Sequence, residues 1–117
     1  MRLSPGKLRG IQQLANQSGF MTICANDHRG ALRRAMNREN PDAVSYQQIV
    51  DFKLDLCRVV AEHASAMLLD PIFGAGQAIA AGVLSGHIGL LVSIEKTGYG
   101  GSNTARTTEL LQDWSVS

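Results

Sequence analysis

The chain has 117 residues, of which 44% are hydrophobic and 18% charged, and a net charge of +1. These proportions are ordinary for a globular domain with its own core. So small a net charge creates no field to attract nucleic acid or an acidic membrane surface, and neither is expected as a partner.

Two cysteines, Cys24 and Cys57, lie among apolar neighbours and form no Cys-x-x-Cys pair, so both read as buried, reduced thiols. The N-terminus has no apolar h-region and no apolar run approaches membrane-spanning length. The expected location is the cytoplasm.

Ser4 can cap a first helix, with Pro5 at its first position. Leu8, Ile11, Leu14 and Ala15 then share one face, and Gly19 is expected to close the helix in the left-handed conformation. Residues 20–25 read as a strand covered on both faces, as in a parallel sheet. It runs into Asn26-Asp27-His28-Arg29-Gly30, after which residues 31–38 form a helix bearing Arg33, Arg34 and Arg38. The arginines read as a solvated helix face. Asn40-Pro41-Asp42 breaks the helix.

The next helix begins at Ser45 or Tyr46 and keeps Ile49, Phe52, Leu56, Val59 and Val60 at helical spacing to about His63. Residues 66–69 form a second strand, ended by Asp70-Pro71. A small-residue helix over 75–84 follows, and then a third strand over 89–94. Glu95-Lys96-Thr97-Gly98-Tyr99 leads into a polar, glycine-rich loop over 98–107, the one flexible-looking stretch. Residues 108–114 read as the start of another helix.

Alternation of strands and helices implies right-handed βαβ units and a parallel sheet, an α/β fold class. Each strand ends in charged residues: Asp27, Asp70, and Glu95 with Lys96. Parallel α/β folds bind ligands at the carboxyl ends of their strands. Three strands leave two unpaired edges, whereas a barrel closes with about eight. The expected architecture is therefore the N-terminal part of a TIM (β/α)8 barrel, residues 1–117 being one domain's opening portion truncated at its C-terminal end. A small open sheet fits the pattern as well.

Three strand-end motifs give the sequence its resemblance: Asn26-Asp27-His28-Arg29-Gly30-Ala31-Leu32, then Leu68-Leu69-Asp70-Pro71 with Phe73-Gly74, and Glu95-Lys96-Thr97-Gly98-Tyr99. With Asp113-Trp114-Ser115 they resemble class I tagatose-1,6-bisphosphate aldolases, over essentially the whole chain. Glu-Lys-Thr-Gly-Tyr after an apolar strand is the most specific of them. The resemblance implies a (β/α)8 barrel that splits a phosphorylated ketose into dihydroxyacetone phosphate and glyceraldehyde 3-phosphate through a Schiff-base lysine, with no metal or other cofactor. It places that lysine on a later strand, so the isolated chain is expected to be inactive. Only Asp27 carries over as a catalytic residue. His28 stands where the family usually has glutamine, Ile72 where it has glutamate and Phe73 where it has tyrosine. A related branch acts on sulfofructose phosphate, but the Glu-Lys-Thr-Gly-Tyr motif favours the tagatose type.

The candidate substrate-binding residues are His28, Arg29, Asp70, Glu95 and Lys96. Each has a plainer reading. Asp27 could be a helix N-cap, worth about 1 kcal/mol. Asp70 before Pro71 could form a structural turn, and this is the favoured alternative. Lys96 could be a solvated strand-end charge, and its pairing with the adjacent Glu95 does not follow, because successive strand residues face opposite ways. Arg29 could pair with Asp70 or Glu95, or face water. His28, His63 and His87 match no metal-ligand spacing, and Gly98, Gly100 and Gly101 lack the lysine of a phosphate loop. A non-catalytic α/β interaction module is the competing functional class. A half-barrel completed by other chains, including a homo-oligomer, is a third.

Overall fold

The computed structural model describes residues 3–115. Helix α1 (Pro5–Gln13) starts at Ser4, whose side chain accepts a hydrogen bond from Lys7 N at 3.3 Å, with Pro5 in the first turn. Strand β1 (Ile23–Asn26) is followed by helix α2 (Gly30–Met36), a 3-10 turn (Pro41–Ala43) and helix α3 (Tyr46–Val60). Strand β2 (Ala66–Leu69), helix α4 (Ala75–Ala80) and strand β3 (Gly89–Val92) complete the main unit. A small hairpin, β4 (Gly100–Ser102) with β5 (Ala105–Thr107), follows.

The sheet order is β1-β2-β3, and both pairings are parallel, with Asn26 opposite Leu69 and Leu69 opposite Val92. Both loops that return the chain carry helices, as parallel crossovers require. The expected α/β class with parallel (β/α) units is therefore present.

The core lies between the sheet and helices α3 and α4. Met67 and Leu69 of β2 meet Cys57, Ala61, Ala75 and Ala78, with Cys24, Leu90 and Val92 packed alongside. These strand residues recur at every second position and so share one face. On the other face Ile23 is 41% exposed and Leu68 and Leu91 are only partly covered. Burial pushes the Cys57 thiol pKa above its ordinary value, partly offset by a hydrogen bond from Asn26, so it stays protonated at neutral pH.

Helix α3 is the best-specified element. Ser45 and Gln48 form a reciprocal capping box, at 2.8 and 3.2 Å, an arrangement worth about 1 kcal/mol. Helix α1 lies at the amino end of β3. Gln13 Nε2 donates to Gly86 O, and Ser65 Oγ donates to Leu14 O. A Cβ on Gly89 would fall 2.5 Å from Gln13 O and 2.9 Å from Leu14 Cα. Gly89→Ala is thus expected to cost about 1–3 kcal/mol by forcing α1 off the sheet, read as a lower urea midpoint. An unchanged midpoint would show that α1 is not held there.

Four sequence expectations need correction. Gly19 does not close α1; the helix ends at Gln13, and Gly19 (φ 82°) sits in a separate turn where Asn16 Oδ1 accepts from Ser18 N and Phe20 N. The asparagine ends the helix early by offering the backbone another acceptor. The small-residue helix stops at Ala80, because Ala81 and Gly82 (φ 64°) turn the chain away. The stretch over 98–107 is not a bare loop but carries the hairpin. Residues 108–114 are not helical: Leu110 bridges Glu95, Leu111 N donates to Ile94 O, and Asp113 adopts a positive φ of 65°. Among the described residues no helix is long and apolar enough to cross a membrane.

Candidate functional site at the strand carboxyl ends

A cleft of about 340 Å³ opens at the carboxyl ends of β1 and β3. Asp27 and Arg29 enter it from the β1 end, Ser93, Glu95 and Lys96 from the β3 end, and Tyr99 with Thr108 from the hairpin segment. Parallel strands bring their last residues to one edge, so positions far apart in sequence meet there. Arg29 spans the gap, its Nη2 donating to the Glu95 main-chain carbonyl. The guanidinium therefore uses the backbone of Glu95 rather than its carboxylate.

After the hairpin the chain returns alongside residues 94–96, just beyond β3. Lys96 N donates to Glu109 O at 2.8 Å, and Lys96 Nζ meets Glu109 Oε2 at 2.8 Å. Arg106 lies 5.4 Å from the Tyr99 ring centre, a cation–π geometry. Gly101 (φ 80°) allows the hairpin to close, since a Cβ there would meet Ala105 O. The Lys96 ammonium, by hydrogen bond and by charge, holds the Glu109 carboxyl below the usual glutamate range. A depressed carboxyl pKa stabilises the pair above the unfolded value, and that contribution is lost as pH falls through the lowered one. Both side chains are exposed, so the clasp is weak and screened by salt. In a carboxyl NMR titration, Glu109 should take up its proton at lower pH in the folded chain than in the urea-unfolded chain. Raised ionic strength should narrow that gap, and equal values in the two states at low salt would show that the clasp does not form in solution.

The structure brings Asp27, Arg29, Glu95 and Lys96 together. It does not bring His28 or Asp70 with them. The His28 side chain is 63% exposed, 4.0 Å from an Asp27 carboxylate oxygen. It faces a separate apolar groove with Leu32, Phe52 and Leu56. Asp70 is fully buried and pairs with Lys53 Nζ at 2.7 Å. Its Oδ1 accepts from Ile72 N at 2.9 Å and Phe73 N at 2.8 Å, which fixes the turn after β2.

Sequence reasoning missed Lys53, Ser93 and Glu109. Lys53 was legible: four residues after Ile49 and four before Cys57, it shares the buried stripe of α3. Ser93 continues the β3 line and borders the cleft, and its hydroxyl has no hydrogen-bond partner among the described residues. Glu109 carried no sequence signal, since its position depends on the hairpin.

Together these features define a parallel α/β unit whose polar cleft sits where ligands bind in such folds. Over 99% of its length, the chain is similar to curated proteins named tagatose 1,6-diphosphate aldolase. It is 36% identical over 116 residues to those of Streptococcus agalactiae and Staphylococcus haemolyticus, and 38% identical over 119 residues to tagatose 1,6-diphosphate aldolase 2 of Enterococcus faecalis. The resemblance read from the strand-end motifs thus extends across the chain. The chain spans about a third of the length of these relatives, 34–35%. No family model matches it.

Proposed function

We propose that this chain forms the opening units of a (β/α)8 barrel and carries part of an aldolase active site for a phosphorylated ketose of the tagatose 1,6-bisphosphate type. The similarity to tagatose 1,6-diphosphate aldolases over 99% of the chain carries this reading. The cleft supports it, because its groups suit such a substrate. The Asp27 carboxylate can accept a hydrogen bond from a sugar hydroxyl and steer a proton while a carbon–carbon bond breaks. Arg29 and Lys96 offer cationic donors to phosphate or carbonyl oxygen. Glu95 and Ser93 add an acceptor and a hydroxyl at the same edge.

Class I cleavage needs an amine that attacks the substrate ketone, from a lysine whose charge is suppressed. Lys96 is paired with Glu109 and exposed, and Lys53 is sealed in the interior against Asp70. Lys53 does not reach the cleft, and Lys96 borders it as the exposed partner of a carboxylate rather than in a charge-suppressing pocket, which supports a nucleophile on a later strand, outside this chain. The products would be dihydroxyacetone phosphate and glyceraldehyde 3-phosphate, formed in the cytoplasm without a metal or other cofactor. The isolated chain would then be inactive. Incubation with dihydroxyacetone phosphate and borohydride should leave Lys7, Lys53 and Lys96 unmodified by mass spectrometry. A stable adduct on any of them would move the chemistry into this chain.

A further inference from the structure

The Lys53–Asp70 pair lies outside the cleft yet touches the peptide that carries Asp27. Lys53 Nζ donates to Asn26 O at 2.6 Å and meets Asp70 Oδ2 at 2.7 Å, with Lys53 and Asp70 both 0% exposed. The Asn26 carbonyl belongs to the peptide group whose nitrogen is that of Asp27. Fixing this carbonyl fixes the plane from which the Asp27 side chain departs. At its other end the pair holds the turn after β2, through the bonds from Ile72 N and Phe73 N to Asp70 Oδ1. Gly74 keeps that turn tight, since a Cβ there would lie 3.2 Å from Asp70 O and 3.3 Å from Asp70 Oδ2.

Stability alone does not account for such a pair. Taking two charges out of water costs several kcal/mol per ion, and apolar residues of similar volume often hold a core as well or better. What an apolar contact cannot do is fix one carbonyl and one carboxylate in direction. We propose that Lys53 and Asp70 are positioning residues: their buried ion pair locks the carboxyl ends of β1 and β2 together and sets the orientation of Asp27 in the cleft. This inference rests on the reading of the cleft as part of an active site.

The test is the full chain carrying Lys53→Met together with Asp70→Asn. Met matches the length of the lysine stem, and the asparagine oxygen can still accept from Ile72 N and Phe73 N. The double variant should keep a urea midpoint close to that of the parent. The backbone resonances of Asp27 and His28 should nonetheless shift and broaden, while those of α3 away from residue 53 are unchanged. In NMR titration, affinity for dihydroxyacetone phosphate should fall at least tenfold. Unchanged Asp27 resonances and unchanged affinity would overturn the positioning role. If the parent chain shows no dihydroxyacetone phosphate binding, the functional reading of the cleft fails, and the Asp27 resonances still decide the positioning role. Should the double variant fail to fold, the parent decides: Lys53 ammonium protons should exchange slowly and show a through-hydrogen-bond coupling to the Asn26 carbonyl carbon. Fast-exchanging Lys53 protons without that coupling would overturn the proposal.

Discussion

Lys53→Met alone is expected to unfold a large fraction of the chain at room temperature. The substitution removes the one cation that pairs with Asp70 Oδ2 among the described residues, and the donor to Asn26 O. Asp70 then remains in a site with no exposure to water. Breaking a buried pair from one side costs about 3–5 kcal/mol, because the surviving charge is uncompensated. Domains of this size hold only about 5–15 kcal/mol in total. The chain also leaves Phe20 and Met21, just before β1, and Ile23 within it open to solvent, and each such side chain forgoes about 1.5–3 kcal/mol of burial, so the margin lies at the low end. Urea denaturation followed by far-UV circular dichroism should show a much lower midpoint, or no folded baseline. A variant within about 0.5 kcal/mol of the parent would place Lys53 among ordinary surface residues and would contradict the buried pair.

That residue also shows what the sequence did and did not disclose. The strands and the long helix were legible because their signals are local: four apolar residues ending at Asp70-Pro71, or a capping box opening an apolar stripe. The gathering of Asp27, Arg29, Glu95 and Lys96 was legible too, because parallel strands place their ends together whatever the loops do. Asp70 looked like a member of that group by the same rule. Its side chain turned inward because a lysine on α3 awaited it, and a partner 17 positions earlier in the chain leaves no periodic trace in the turn itself. The hairpin, and the pairing of residues 109–111 with residues 94–96 beyond β3, were illegible for another reason. Gly100, Gly101 and Ser102 have neither the alternation nor the β-branched residues that mark a strand. Residues 108–114 had helix-compatible composition, but the open backbone of Ile94 and Lys96 captured Glu109 and Leu111 instead. Tertiary pairing overrode a weak local preference.

The second large effect concerns completion of the sheet. Strands β1 and β3 each have one edge without a strand partner among the described residues, and such edges offer rows of hydrogen-bonding groups to another chain. If the chain is the opening of a barrel, the part of the Streptococcus agalactiae aldolase that does not align with it should dock there. Mixed or co-expressed with this chain, that polypeptide should form a one-to-one complex with aldolase activity that neither partner shows alone. The gain should be large, because docking would cover the open face bearing Ile23, Leu68 and Leu91 and would add the missing nucleophile. In that complex Asp27→Asn keeps the size of the side chain but removes its charge, and kcat should fall by about 10²–10⁴, the usual weight of one acid–base group. Lys96→Met should weaken substrate binding more than turnover, since its charge meets phosphate or carbonyl oxygen rather than the breaking bond. Active complexes indifferent to Asp27→Asn would remove the aspartate from the chemistry. Failure of the two pieces to associate, with both soluble and folded, would favour a self-standing α/β module whose cleft serves binding alone.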